Sequence, residues 1–158
     1  MIALNTARKT DRKMPESKYD SLKLENQLCF PLYAASREII KQYKPFLDEI
    51  DLTYTQYIAM MVLWERKAVT VKEMGTLLYL DSGTLTPLLK KMESKGLLTR
   101  TRSTEDERSL NIEITASGEA LKERALKVPH AMAQCSRING EDALALYRIL
   151  YKILGKEE

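Results

Sequence analysis

The residues from Thr70 to Thr115 constrain the fold more than any other part of this chain. TVKEMGTLLYL opens with Thr70 and Glu73 at the S/T-x-x-E spacing of a capping box, which predicts a helix running to about Tyr79. A short polar break, LDSGT, leads into TPLLKKMESKGLL, a second helix that Gly96 is placed to end in the left-handed conformation. Asp81, Ser82 and Thr84 are its candidate N-caps. Pro87, acceptable only in a first turn, favours a start near Thr84 or a distorted first turn. Two β-prone pieces, residues 97–101 and 110–115, then flank a charged polar tip as a hairpin. Helix, turn, helix and hairpin together predict a winged helix-turn-helix, mainly α with a small β-wing.

Helices are expected on both sides of this unit. From Leu24, apolar residues recur at Leu28, Leu32, Ala35, Ile39 and Tyr43, a helical stripe expected to end near Lys44 and Pro45. Pro31 interrupts it: either the helix kinks there, or it begins close to Cys29, where the helix dipole would favour a thiolate. TYTQYIAMMVLWE, residues 53–65, is nearly continuous in apolar residues and reads as a core helix. Thr115 or Ser117 caps a further helix through Glu119 to Lys127, broken at Pro129. A last helix, EDALALYRILYKIL, places Leu144, Tyr147, Leu150, Tyr151 and Leu154 on one side, and a face so apolar near the terminus needs a partner.

Composition narrows the function classes. The 158 residues suffice for one domain with a real core and no staples. Two cysteines, Cys29 and Cys135, are too few for a disulfide framework, and with the one histidine, His130, they do not make a zinc site at any usual spacing. No cofactor or metal is expected. No run is long enough to span a membrane, the N-terminus has no signal-peptide core, and a reducing cytoplasm is the expected compartment.

The net charge of +3 is carried entirely by the first thirteen residues, where four cations face Asp11. That arm is polar and aperiodic and reads as disordered. The rest sums to zero, so any case for nucleic acid is local. Such a case exists in residues 84–102, where Lys90, Lys91, Lys95, Arg100 and Arg102 face only Glu93, a balance of +4. Ser82, Thr84 and Thr86 add small hydroxyls at the start of a helix, where the dipole also favours phosphate. At the hairpin tip, Asp106 can brace Arg108 so that one guanidinium enters a narrow minor groove, where negative potential is strongest.

Six ordered segments, LENQLCF, REIIKQYKP, LTYTQY, YLDSGTLTPLLKKME, GLLTR and STEDERS, resemble the MarR family of winged-helix transcription regulators, and within it the organic-hydroperoxide-sensing OhrR type. The resemblance covers residues 22 to about 128. It implies a homodimer with interlocked N- and C-terminal helices, and double-stranded operator DNA as partner. It also implies that residues 81–92 enter the DNA, with Arg108 of the Asp106-x-Arg108 motif in the minor groove. The domain organisation then reads as a basic arm (1–21), an N-terminal dimerisation and sensor helix (22–50), a winged-helix DNA-binding domain (51–115) and C-terminal dimerisation helices (116–158).

The same resemblance makes Cys29 a peroxidatic thiol and Tyr43 and Tyr54 the phenols that hydrogen-bond to it across the dimer. Tyr33 is either a further pocket member or a core residue, and Cys135 is either a resolving thiol or incidental. The expected function is a redox-sensing repressor, not an enzyme, released from DNA when an organic hydroperoxide oxidises Cys29. Its alternative within the same fold is a regulator answering to a small aromatic ligand or to another oxidant, hypochlorite or a quinone. A thiol peroxidase would need a second redox motif to take up electrons, and no C-x-x-C is present.

Overall fold

A computed structural model describes residues 17–102, 110–135 and 138–156. Seven α-helices occur in them: α1 Cys29–Asp48, α2 Tyr54–Arg66, α3 Val71–Leu78, α4 Ser82–Ser94, α5 Ala116–Ala125, α6 Lys127–Cys135 and α7 Gly140–Ile153. Three short strands, β1 Ala68–Thr70, β2 Leu98–Arg102 and β3 Leu110–Ile114, complete the order. The architecture is the mainly helical winged fold that the sequence predicts. The chain divides into two compact units, Met1–Ile39 and Ile40–Glu158.

In the first unit, two short 3-10 turns, Asp20–Leu22 and Leu24–Asn26, precede α1. The apolar stripe from Leu24 is therefore not helical along its whole length. The α-helix begins at Cys29, which puts Pro31 in the first turn, where its missing N–H would have no helical partner. The kink alternative is excluded by that start. None of residues 17–39 is buried, and Leu28 (81%) and Leu22 (77%) are the most exposed of the apolar ones.

The second unit holds the core. α1 does not stop at Lys44 and Pro45 but continues to Asp48 with Pro45 inside it. An interior proline costs about 3 kcal/mol, and the helix persists because Leu47 beyond it is fully buried and Phe46 packs on the same core. Lys44 adds an ion pair to Asp48 at 2.7 Å, one turn on. α2 is the central element, burying Tyr57, Ala59, Met60, Leu63 and Trp64, and Thr53 caps it in a reciprocal box with Gln56.

The capping box predicted for Thr70 and Glu73 has both arms in place, and α3 ends with Tyr79 in the left-handed conformation, φ 55°. Gly75 permits the close approach of α3 to the turn: a Cβ there would lie 2.7 Å from the Leu80 carbonyl oxygen and 3.3 Å from Leu85 Cδ1. α4 starts at Ser82, two residues before the expected start, because the Asp81 carboxylate accepts the Thr84 N–H at 2.9 Å. Pro87 therefore falls in the second turn and leaves the Gly83 carbonyl without its helical donor.

The two predicted hairpin strands are present, with β2 and β3 antiparallel and Arg100 opposite Ile112. β1, three residues that the sequence reading did not identify, pairs with the other side of β3, giving the order β1-β3-β2. Thr115 is the cap of α5, and that helix breaks at Leu126, not at Pro129. Pro129 sits instead in the first turn of α6, where proline is tolerated. α7 has the expected apolar residues and buries none of them.

Hydrogen bonds at Asp81 make one expectation about acidity. The Thr84 N–H, with the Thr84 hydroxyl second, holds the Asp81 carboxyl below its ordinary value of 3.8. A carboxylate depressed in the folded state contributes its full stability above the ordinary value and loses it as pH falls through the lowered one. Asp81→Asn keeps a capping side chain but no titrating group, so its acid-unfolding profile is expected to be flatter below pH 3.8 than that of wild type. Superposable profiles would contradict this.

Candidate DNA-binding and thiol sites

On α4 the buried residues Leu85, Leu89 and Met92 recur at helical spacing and turn that face to the core. Ser82, Thr84, Thr86, Lys90 and Lys91, spread around the rest of the helix, are all exposed. Of these five, Ser82 and Thr86 line one groove. Asp81 sits at its edge as the helix cap, and the Thr86 hydroxyl donates to the Ser82 carbonyl at 2.7 Å, which leaves its oxygen free to accept. Lys72 and Thr76 of α3, with Tyr79 that ends it, share that groove with Ser82 and Thr86. Sequence reasoning passed over them; the signal for Lys72 and Thr76 is the i, i+4 spacing of polar residues on a helix that packs against α4.

The local cationic excess is smaller than a residue count suggests. Lys95 is engaged with the Asp51 carboxylate at 2.9 Å and with the Asp51 carbonyl. Arg100 is ion-paired with Glu93 at 2.6 Å. Lys90 has no ion-pair partner among the described residues, and Arg102 is exposed at the far end of β2. Asp106 and Arg108, expected at the wing tip, lie outside the described residues.

Cys29 is the first residue of α1 and Cys135 the last of α6, and both are exposed free thiols. Among the residues linked to thiol chemistry, Tyr43 and Tyr54 are brought together, their rings in edge contact at 5.0 Å. Tyr57 continues the row at 6.1 Å from Tyr43 and 6.2 Å from Trp64. Burial, with the Tyr43 phenol second, raises the Tyr54 hydroxyl above its ordinary 10.0, so Tyr54 is a protonated donor at neutral pH. Tyr33 is not a core residue: it is exposed, and its hydroxyl accepts from the Arg37 guanidinium at 2.7 Å. No group of His, Cys, Asp and Glu among the described residues is arranged to hold a metal.

Residues 41–125 match the family model of the transcriptional regulators SarA/Rot. The chain is 56% identical over 139 residues to the organic hydroperoxide resistance transcriptional regulator of Bacillus subtilis strain 168, covering 88% of this chain and 95% of that one. The chain belongs to the MarR family of winged-helix transcription regulators, in its organic-hydroperoxide branch. Its fold is also that of AbfR of Staphylococcus epidermidis, at 33–34% identity over 85–87% of this chain and 95–99% of that one. The TM-scores are 0.69 for reduced AbfR bound to DNA, 0.67 for overoxidised AbfR bound to DNA and 0.59 for disulfide-formed AbfR. As a family member the chain has relatives that are regulators of transcription, and no helix among its described residues is long and apolar enough to cross a membrane.

Proposed function

We propose that this regulator is a repressor that binds operator DNA as a homodimer and is released when an organic hydroperoxide oxidises Cys29. The observation that carries the reading is the 56% identity to a hydroperoxide resistance regulator over 95% of its length, with an exposed thiol at the head of α1. α4 is the recognition helix. Ser82, Thr84 and Thr86 face base edges and phosphates, Lys90 and Lys91 neutralise phosphates, and Asp106 orients Arg108 into the minor groove. A regulator of this kind acts in the cytoplasm.

Apolar surface that one chain leaves uncovered supports the dimer. Leu24, Leu28, Leu32 and Ile39 near the N-terminus, and Leu144, Tyr147 and Tyr151 on α7, are exposed. A two-fold partner buries them against their counterparts. The thiol chemistry uses the same partner. The phenols that hold the thiolate come from the second copy.

The Cys29 thiolate attacks the outer oxygen of the peroxide. An S–O bond forms, the O–O bond breaks, and the alcohol leaves with a proton, so that sulfur is oxidised by two electrons to the sulfenic acid and the peroxide is reduced. The Cys135 thiol of the second copy then displaces water from it to give a disulfide. AbfR in its overoxidised form is bound to DNA, which favours the disulfide over the higher oxides as the releasing state in this chain too. Oxidation is a single stoichiometric event and not turnover.

The test uses a duplex selected by the reduced protein from a random library. Reduced protein is expected to bind it, and one equivalent of cumene hydroperoxide to release it together with a cross-linked dimer band on a non-reducing gel. Protein that stays bound while its thiols are consumed would overturn the reading. Cys135→Ser is expected to give no such band and, after the same treatment, to bind at least about tenfold more tightly than oxidised wild type, within the usual range of coupling between sites.

A further inference from the structure

Glu93, in the last turn of α4, makes three hydrogen bonds to a single residue of β2. Its Oε1 accepts the Arg100 backbone N–H at 3.1 Å, and its Oε2 accepts Nε at 2.9 Å and a terminal guanidinium nitrogen at 2.6 Å. β2 lies at the edge of the sheet, so this N–H has no strand partner, and the carboxylate takes the place of one. The Arg100 side chain is only 19% exposed. Its guanidinium holds the Glu93 carboxyl below the ordinary range, so Glu93 is a carboxylate at neutral pH.

The link that this contact spans is short, and it also bonds to the start of α5: the Thr115 N–H donates to the Leu97 carbonyl at 3.1 Å and the Thr115 hydroxyl to the Gly96 carbonyl at 2.6 Å. α4 passes into β2 through Lys95, Gly96 and Leu97, with Gly96 in the left-handed conformation and no atom within 4 Å of where its Cβ would be. Beyond Arg100, Thr101 and Arg102 are exposed. The Glu93–Arg100 contact is the outermost hydrogen-bonded tie between α4 and β2 among the described residues.

Resting on the operator-binding reading, we infer that Arg100 is a positioning residue and not a phosphate ligand: clamped by Glu93, it sets the stem of the wing against the recognition helix, so that both engage one operator in register. The two roles differ in sign at Glu93. If Arg100 met phosphate directly, removing the nearby negative charge would leave DNA binding unchanged or strengthen it. If Arg100 acts through the clamp, removing either partner costs the same register, and a lysine, which keeps the charge but lacks the fork, does not replace it.

The experiment measures affinity and its salt dependence for Glu93→Gln, Arg100→Gln, Arg100→Lys and the double Gln variant. Each is tested on the selected duplex and on a random-sequence duplex. Each single variant is expected to bind the selected duplex about tenfold more weakly, and the double variant no more weakly than either single. Binding to random sequence is expected to stay within about twofold, with the salt slope unchanged. Lys90→Gln, as a phosphate contact, should lower the slope by about 0.9 on both duplexes. The inference is overturned by a Glu93→Gln that binds as well as wild type, by an Arg100→Lys that restores binding, or by parallel losses on both duplexes. Wild type that selects no sequence at all would overturn the repressor reading itself; wild type that selects one while the variants match it removes only the clamp.

Discussion

Cys29→Ser is expected to hold its operator as reduced wild type does, within about twofold, and to keep that affinity after one equivalent of cumene hydroperoxide. Wild type in the same samples is expected to weaken about 100-fold, near the upper end of coupling energies between sites. The side chain is exposed in the first turn of α1, so within one chain the substitution removes no packing, and a hydroxyl replaces a thiol of similar shape. What it removes is the nucleophile, since an alcohol does not ionise near neutral pH as a thiol can. A Cys29→Ser protein that peroxide still drives off DNA would move the sensor to Cys135 or to a non-thiol ligand. Thiol counting before and after treatment distinguishes these.

Gly118→Ala is expected to lower stability by about 3 kcal/mol, the combined scale of an overpacked core and a disturbed buried hydrogen bond. The third residue of α5 lies against the link between α4 and β2. A Cβ at Gly118 would be 2.2 Å from the Leu97 carbonyl oxygen and 2.9 Å from Ile114 Cγ1. Backbone does not yield as a side-chain end would, so α5 must retreat. Its retreat strains the bond that Trp64 Nε1 donates to the Gly118 carbonyl at 2.9 Å. Trp64 is the chain's one tryptophan, so its fluorescence reports both the loss of stability in denaturant and the altered site in the native state. Gly140→Ala at the start of α7, where a Cβ meets nothing within 4 Å, is the matched control and is expected to be near neutral. Equal denaturation midpoints for the two variants would contradict the close-packing account.

The parts of the fold legible in the sequence were those fixed by local chemistry. The Thr70 and Glu73 box, Gly96 after α4 and the two strands of the hairpin each declare themselves within a few residues. The four prolines of the helical segments were harder, because proline excludes a donor without saying what offsets the loss. Pro31 and Pro129 proved to be first-turn residues, whereas Pro45 and Pro87 are interior. In the case of Pro45, the compensation is the burial of Leu47, which no local window reveals. β1 escaped notice because three residues carry no periodicity and its partner, β3, is more than forty positions away.

The candidate site follows the same division. The outward hydroxyls and lysines of α4 follow from helical spacing alone. That Arg100 and Lys95 are already engaged does not, because their partners Glu93 and Asp51 lie seven and forty-four residues away across turns of the chain. Likewise the Tyr43 and Tyr54 contact joins two helices, and the exposure of Tyr33 depends on what fails to pack against it.

The absence of any buried residue between positions 17 and 39 has a kinetic corollary under the proposed dimer. A segment with no interior of its own gains buried surroundings only by association, so the environment that makes Cys29 reactive is a property of the assembled pair. Mass action then sets oxidant sensitivity. At chain concentrations well below the dimer dissociation constant, the rate of sulfenic acid formation per thiol should fall along with the dimer fraction, and a cell that makes too little of the protein would lose its alarm along with its repression.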